Sequence, residues 1–151
     1  MAQNTLPVFG KTPLISGVNI TSTGILTGSL GAGAIGTNQF VAFTAGNSGS
    51  YVQKVRFMNA ASTASLTGVA TVLRAHYSTV NSGTPTTGQI YLLGEISVGA
   101  LTPSSATQAT NFYELPLNFA MPAGSFLLVS QHTAQTTNTN WQAFVIASDY
   151  V

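Results

Sequence analysis

Glu95 and Glu114 are the first residues to test for chemistry, because two carboxylates can share a general acid and a general base between them. A glycosidase-type pair needs its carboxyls roughly 5–10 Å apart across a cleft. Alternation within the surrounding strand sets Glu95 opposite the apolar positions, where an ion pair with Arg74 or Arg56 is the ordinary role. His76 and His132 fall in different segments, and a metal site would need both to converge with a carboxylate. Serine is abundant, but no Gly-x-Ser-x-Gly elbow occurs, and Gly46-Asn47-Ser48-Gly49 has the composition of a turn. The reading is of a chain without a catalytic site, cofactor or small-molecule substrate.

One motif imitates a cofactor site. Gly31-Ala32-Gly33-Ala34-Ile35-Gly36 matches G-x-G-x-x-G letter for letter. The dinucleotide fingerprint works because a strand precedes it, a helix follows it, and an acidic residue sits about 20 positions on. Here a strand-like segment follows, and no acidic residue occurs before Glu95. The expectation is a Gly-rich loop.

The elements around these residues read as strands throughout. Gln39–Thr44 and Tyr51–Met58 flank the turn 45–50, with Val55 and Phe57 on one face and Lys54 and Arg56 on the other. Val69–Tyr77 sets Leu73 and Ala75 against Arg74 and His76, and Gln89–Val98 groups Ile90, Leu92, Ile96 and Val98 opposite Glu95. Asn111–Leu117 is a short strand ending at Pro116. Met121-Pro122-Ala123-Gly124 is a strong turn, since proline presets the second position and glycine accepts positive φ. Ser125–His132 and Trp141–Ala147 close the chain, while the Gly/Ser/Thr-rich residues 14–37 hold one or two short strands. Seven or eight strands joined by turn-rich loops predict an all-β, single-domain β-sandwich, jelly-roll-like, with a simpler Greek key as the alternative.

Residues 1–13 carry Pro7 and Pro13 around Leu6, Val8 and Phe9, a pattern that forbids helix. They are assigned as an extended N-terminal arm, with 14–151 as the sandwich domain. Leu6, Pro7, Val8 and Phe9 of the arm, with Ile25, Leu26, Leu30 and Ile35 of the Gly-rich segment, are the candidate contacts with neighbouring subunits. If three successive strands lie side by side, Arg56, Arg74 and Glu95 form one cross-strand charge cluster.

Composition narrows the class of function. Of the 151 residues 44% are hydrophobic and 5% charged, so there is material for a core and little charge for the surface. A net charge of +1 from four scattered cations cannot supply the phosphate contacts of nucleic-acid binding. A nearly neutral surface repels its own copies weakly, which favours association. The absence of cysteine excludes disulfides and thiol chemistry. No stretch approaches the run of about 20 apolar residues that crosses a bilayer, and Met1–Phe9 lacks the pattern of a signal peptide, so a soluble product is expected and the Asn19-Ile20-Thr21 sequon is discounted. A single tryptophan argues against the exposed aromatic row of many sugar-binding modules.

The segments Phe43-Thr44-Ala45-Gly46, Asn47 to Phe57, Ala70-Thr71-Val72-Leu73-Arg74, Tyr113-Glu114-Leu115-Pro116-Leu117, Met121 to Gly124 and Trp141 to Tyr150 resemble small structural proteins of tailed-bacteriophage virions. The resemblance spans residues 38–150 and consists of strand and turn patterns. It implies a capsid decoration or cement protein: a β-sandwich, commonly a homotrimer, made in the host cytoplasm and placed on the outer capsid surface. There it would bridge neighbouring copies of the major capsid protein and stabilise the shell. The alternative is a tail or head-fibre adaptor, or a virion appendage that binds host glycans.

Overall fold

The computed structural model describes residues 10–21, 23–28, 30–31, 33–61, 67–102 and 112–150. They form eight strands: β1 (Thr12–Ile20), β2 (Gln39–Thr44), β3 (Ser50–Ala61), β4 (Thr71–Ser78), β5 (Ile90–Val98), β6 (Phe112–Met121), β7 (Phe126–Gln131) and β8 (Thr139–Asp149). Two four-stranded sheets have the orders β1-β8-β3-β6 and β2-β7-β4-β5. The antiparallel pairs β1–β8, β2–β7, β3–β6 and β4–β5 nest one inside the next. The chain therefore runs as one long hairpin of four strands out and four back, wound so that alternate rungs fall in opposite sheets. That winding is the double Greek key of a jelly roll, so the β-sandwich reading holds.

The sheets face each other across a core that includes the fully buried Phe57, Leu73, Leu127, Val129, Val145 and Trp141. Each such side chain contributes about 1.5–3 kcal/mol by leaving water. Trp141 packs edge-on against Tyr113 with ring centroids 5.9 Å apart. Alternation places these residues inward because side chains along a strand change face at every step.

Bulges break the alternation at positions that no residue pattern marks. A register shift between Val52 and Lys54 lets both Val52 and Val55 point inward. Another, between Ala75 and His76, inserts one extra residue in β5. It splits the predicted apolar set. Ile96 pairs with inward Leu73, whereas Leu92 pairs with His76 on the outer face that also carries Glu95.

Prolines mark edges. Pro13 and Pro116 both lie in outermost strands of the first sheet, where a missing N–H leaves the interior ladder intact. For this reason β6 continues through Pro116 to Met121 instead of stopping there. Thr12 and Pro13, assigned from sequence to the arm, are the first residues of β1. The rest of the arm contacts, Leu6, Pro7, Val8 and Phe9, lie outside the described residues. The Met121–Gly124 turn is as expected, with Gly124 at φ 71° and the Ser125 N–H donating to the Pro122 carbonyl at 3.3 Å.

Candidate interaction surface

The outer face of the β2-β7-β4-β5 sheet is covered over β7 and β4, while Leu92 and Glu95 of β5 stay exposed. Strand register aligns Gln39, Ser130, Arg74 and Glu95 in one transverse row, and Val41, Leu128, His76 and Leu92 in the next. Gln39, Ser130, His76 and Leu128 are 0% exposed and Arg74 only 6%, although all stand on the face away from the core. The connection from β1 to β2 lies over them. The Leu26 N–H donates to the Gln131 carbonyl at 2.8 Å, and the Gln131 amide donates to the Thr21 carbonyl at 2.8 Å. The Gln39 amide donates to the carbonyls of Gly31 and Gly33 at 2.7 and 2.6 Å. Arg74 donates from Nη1 to the Leu26 carbonyl at 2.9 Å and from Nε to Glu95 Oε2 at 3.0 Å.

This layer explains Gly31 and Gly33 of the false nucleotide motif. Gly31 has φ 77°, and a Cβ there would lie 2.5 Å from Ile90 Cδ1 and 3.3 Å from the His76 ring. The motif leads into β2, a strand, and its backbone carbonyls are taken up by Gln39. These are conditions for close packing of backbone on sheet, not for cradling a phosphate.

The opposite outer face, on β1-β8-β3-β6, is bare among the described residues. Its rows read Ile15, Ile146, Lys54, Pro116; then Gly17, Phe144, Arg56, Glu114; then Asn19, Gln142, Met58, Phe112. Ile15 is 76% exposed and Phe112 55%. Glu114 accepts from Lys54 Nζ at 2.9 and 3.0 Å and from Arg56 Nε at 2.8 Å. The Arg56 guanidinium lies 4.6 Å from the Phe112 ring centre and 5.4 Å from that of Phe144, within reach of a cation–π contact with both. The hydrogen bond from Lys54, then that from Arg56, holds the Glu114 carboxyl below its ordinary pKa. A shallow dent of ≈ 280 Å³ opens beside this row, lined by Gly17, Val18, Asn19, Gln142, Ala143 and Phe144. The surface is apolar at its margins, cationic at its centre, and stiffened by a shared carboxylate.

The expected charge cluster does not exist as one group. Arg74 and Glu95 pair on β4–β5, while Arg56 pairs with Glu114 on β3–β6, on the opposite outer face. The physical reason is the winding: β3 and β4 are consecutive in the chain but belong to different sheets. Glu95 and Glu114 likewise point outward from opposite sheets and share no cleft. His76 is buried beneath the β1–β2 connection. The backbone N–H of His132, just beyond β7, donates to the Val72 carbonyl and to Thr71 Oγ1. Among the described residues no group of three or more His, Cys, Asp or Glu is arranged to hold a metal ion.

Of the apolar contact candidates, Leu26 is 6% exposed and packed within its own domain, and Ile25 and Ile35 are half-buried. Leu30 stands out at 82% exposed, beside Tyr91, Pro85 and Ile90 around a second dent of ≈ 280 Å³. Sequence reasoning did not single out Ile15, Gly17, Phe112 or Phe144 as a surface. Alternation gives their facing. Which face is left open is decided by where a distant connection lies.

No family model matches the chain, and no curated protein matches it in sequence. Solved structures of infectious bursal disease virus contain chains to which it is similar. One, from the T13 viral particle, has 12% identity and a TM-score of 0.34, over 93% of this chain and 32% of that one. The Gx strain gives 11% identity and a TM-score of 0.33, over 93% of this chain and 34% of the other. The Gt strain gives 12% identity and a TM-score of 0.31, over 97% and 34%. The chain thus spans about a third of the length of each of these viral chains.

Proposed function

We propose that the chain is a non-catalytic structural component of a bacteriophage virion, placed on the outer capsid surface, where it cements neighbouring copies of the major capsid protein. The observation that carries this reading is the asymmetry of the two outer faces. One is covered over β7 and β4 by the protein's own β1–β2 connection; the other presents Ile15, Phe112 and Phe144 around the Lys54–Glu114–Arg56 group, with none of the described residues lying over it. Apolar side chains held rigid on a sheet suit a surface that docks against another protein. The resemblance of residues 38–150 to phage virion proteins names the partner class. Each copy would add a modest contact, and valency over a shell multiplies it.

Shells purified without the protein and then refilled with it test the proposal. Filling should raise the temperature at which the shells rupture, and Phe112→Asp should bind them at least tenfold more weakly. Equal rupture temperatures with and without bound protein would refute a cementing role. Only a few copies per particle on a gel would point instead to an adaptor or glycan-binding appendage.

A further inference from the structure

Four strands of the sandwich end a sheet, and three of them carry features that block pairing with another strand. In β2 there are only six residues and a register shift between Val41 and Phe43. Its counterpart β5 contains Glu95 and a bulge, and β6 contains Pro116, Glu114 and the positive-φ residue Asn118. Short length, bulges, proline and charge are the usual ways an edge is kept from adding strands. Against these, β1 differs. It runs nine residues in unbroken register with β8, from Thr12 opposite Asp149 to Ile20 opposite Trp141, and carries no charge. Its single proline, Pro13, sits at the start. Among the described residues no strand is paired to its other side, since β2 belongs to the second sheet.

The side chains of β1 are also complementary to themselves. Ile15 projects from the outer face and is 76% exposed. Two residues on, and on the same face, Gly17 leaves the dent against Phe144. A Cβ on Gly17 would lie 3.3 Å from Phe144 Cβ and 3.2 Å from the Ala143 carbonyl, a tight fit against β8, so a side chain here would crowd Phe144 and close part of the dent. In an antiparallel pair of β1 strands centred on Ser16, Ile15 of each copy stands directly across from Gly17 of the other. Each isoleucine can then lean over the glycine onto Phe144. Leu14 meets Val18 on the inner face in the same register, which continues the core side of the sheet.

We propose that two copies of the chain associate through the β1 edge, antiparallel about a two-fold axis at Ser16, joining the β1-β8-β3-β6 sheets into one continuous sheet. An isologous contact of this kind repeats the same knob and hollow twice. With no charge in β1 and a net charge of +1 on the chain, little repulsion opposes it. The assignment is a two-fold contact where the phage resemblance implies a three-fold one. It does not rest on the capsid reading, because it concerns the purified chain alone.

Sedimentation of the purified protein is expected to give twice the chain mass of 15.6 kDa. Ile15→Lys should weaken the dimer roughly tenfold or more, by placing two like charges and losing apolar contact. Leu30→Lys, at another exposed apolar position, should leave it intact. The chain has no cysteine, so Ser16→Cys supplies a lone thiol at the two-fold, and mild oxidation should link the chains in pairs. A monomer at hundreds of micromolar, a trimer, or a dimer indifferent to Ile15→Lys would each overturn the proposal. If Ile15→Lys does not fold, the cross-link decides: failure of Ser16→Cys to link overturns it equally.

Discussion

Replacing Arg74 with methionine should loosen the β1–β2 connection while leaving the sandwich folded. Arg74 is 6% exposed, and its guanidinium donates to the Leu26 carbonyl at 2.9 Å and to Glu95 at 3.0 Å. A hydrogen bond from a charged donor to a buried carbonyl contributes about 1.5–3 kcal/mol. The Glu95 side chain is 49% exposed, so solvent screens the ion pair to no more than about 1 kcal/mol. Methionine keeps most of the volume, which limits the cavity penalty. The expected loss is about 2–4 kcal/mol, or roughly 5–15 °C in Tm for a domain of this size.

The effect should also be local. The Leu26 amide, bonded to the Gln131 carbonyl, should lose hydrogen-exchange protection well before the amides of β3 and β8. Arg56→Met is the comparison: Arg56 is 31% exposed on the open face, and its replacement should cost about 1 kcal/mol or less. The reasoning is refuted if Arg74→Met changes Tm by no more than Arg56→Met and leaves the Leu26 amide protected.

Acid should act on the open face through Glu114. Its folded pKa is lowered below the ordinary glutamate value, chiefly by the hydrogen bond from Lys54 and then by that from Arg56. A depressed carboxylate stabilises the fold above its unfolded pKa, and that contribution disappears as pH falls through the folded value. Denaturant midpoints of wild type and Glu114→Gln should therefore differ near neutrality and converge below the carboxylate range; a constant gap across that range would show that the ion pairs contribute nothing. Gly49→Ala should destabilise by about 1 kcal/mol or more, because φ is 85° there and a Cβ would lie 2.7 Å from the Met121 carbonyl. Gly28→Ala meets no atom within 4 Å and should be neutral in the same thermal melt; equal losses at both positions would discount the steric argument.

Much of the architecture follows from local pattern. Val55 and Phe57 alternate with Lys54 and Arg56, Leu73 and Ala75 alternate with Arg74 and His76, and the Pro122–Gly124 turn dictates its own geometry. Period-two alternation, turn chemistry and the lack of helical spacing therefore determined an all-β sandwich, and the strand following Gly36 removed the nucleotide motif from consideration. What alternation cannot convey is whether the non-core face of a strand meets water. His76 and Arg56 look alike in sequence, each a polar residue between inward apolar ones, yet His76 is 0% exposed and Arg56 remains accessible.

That difference arises because the β1–β2 connection crosses one sheet and not the other. The pairing of Arg56 with Glu114 instead of Glu95 has the same origin, in a register joining strands far apart in the chain. By itself the sequence determined that the chain is built of strands and, between bulges, which side chains share a face. Tertiary structure alone decided which faces are open and which charges meet, because both depend on how the long hairpin winds, and local backbone preferences carry no record of that.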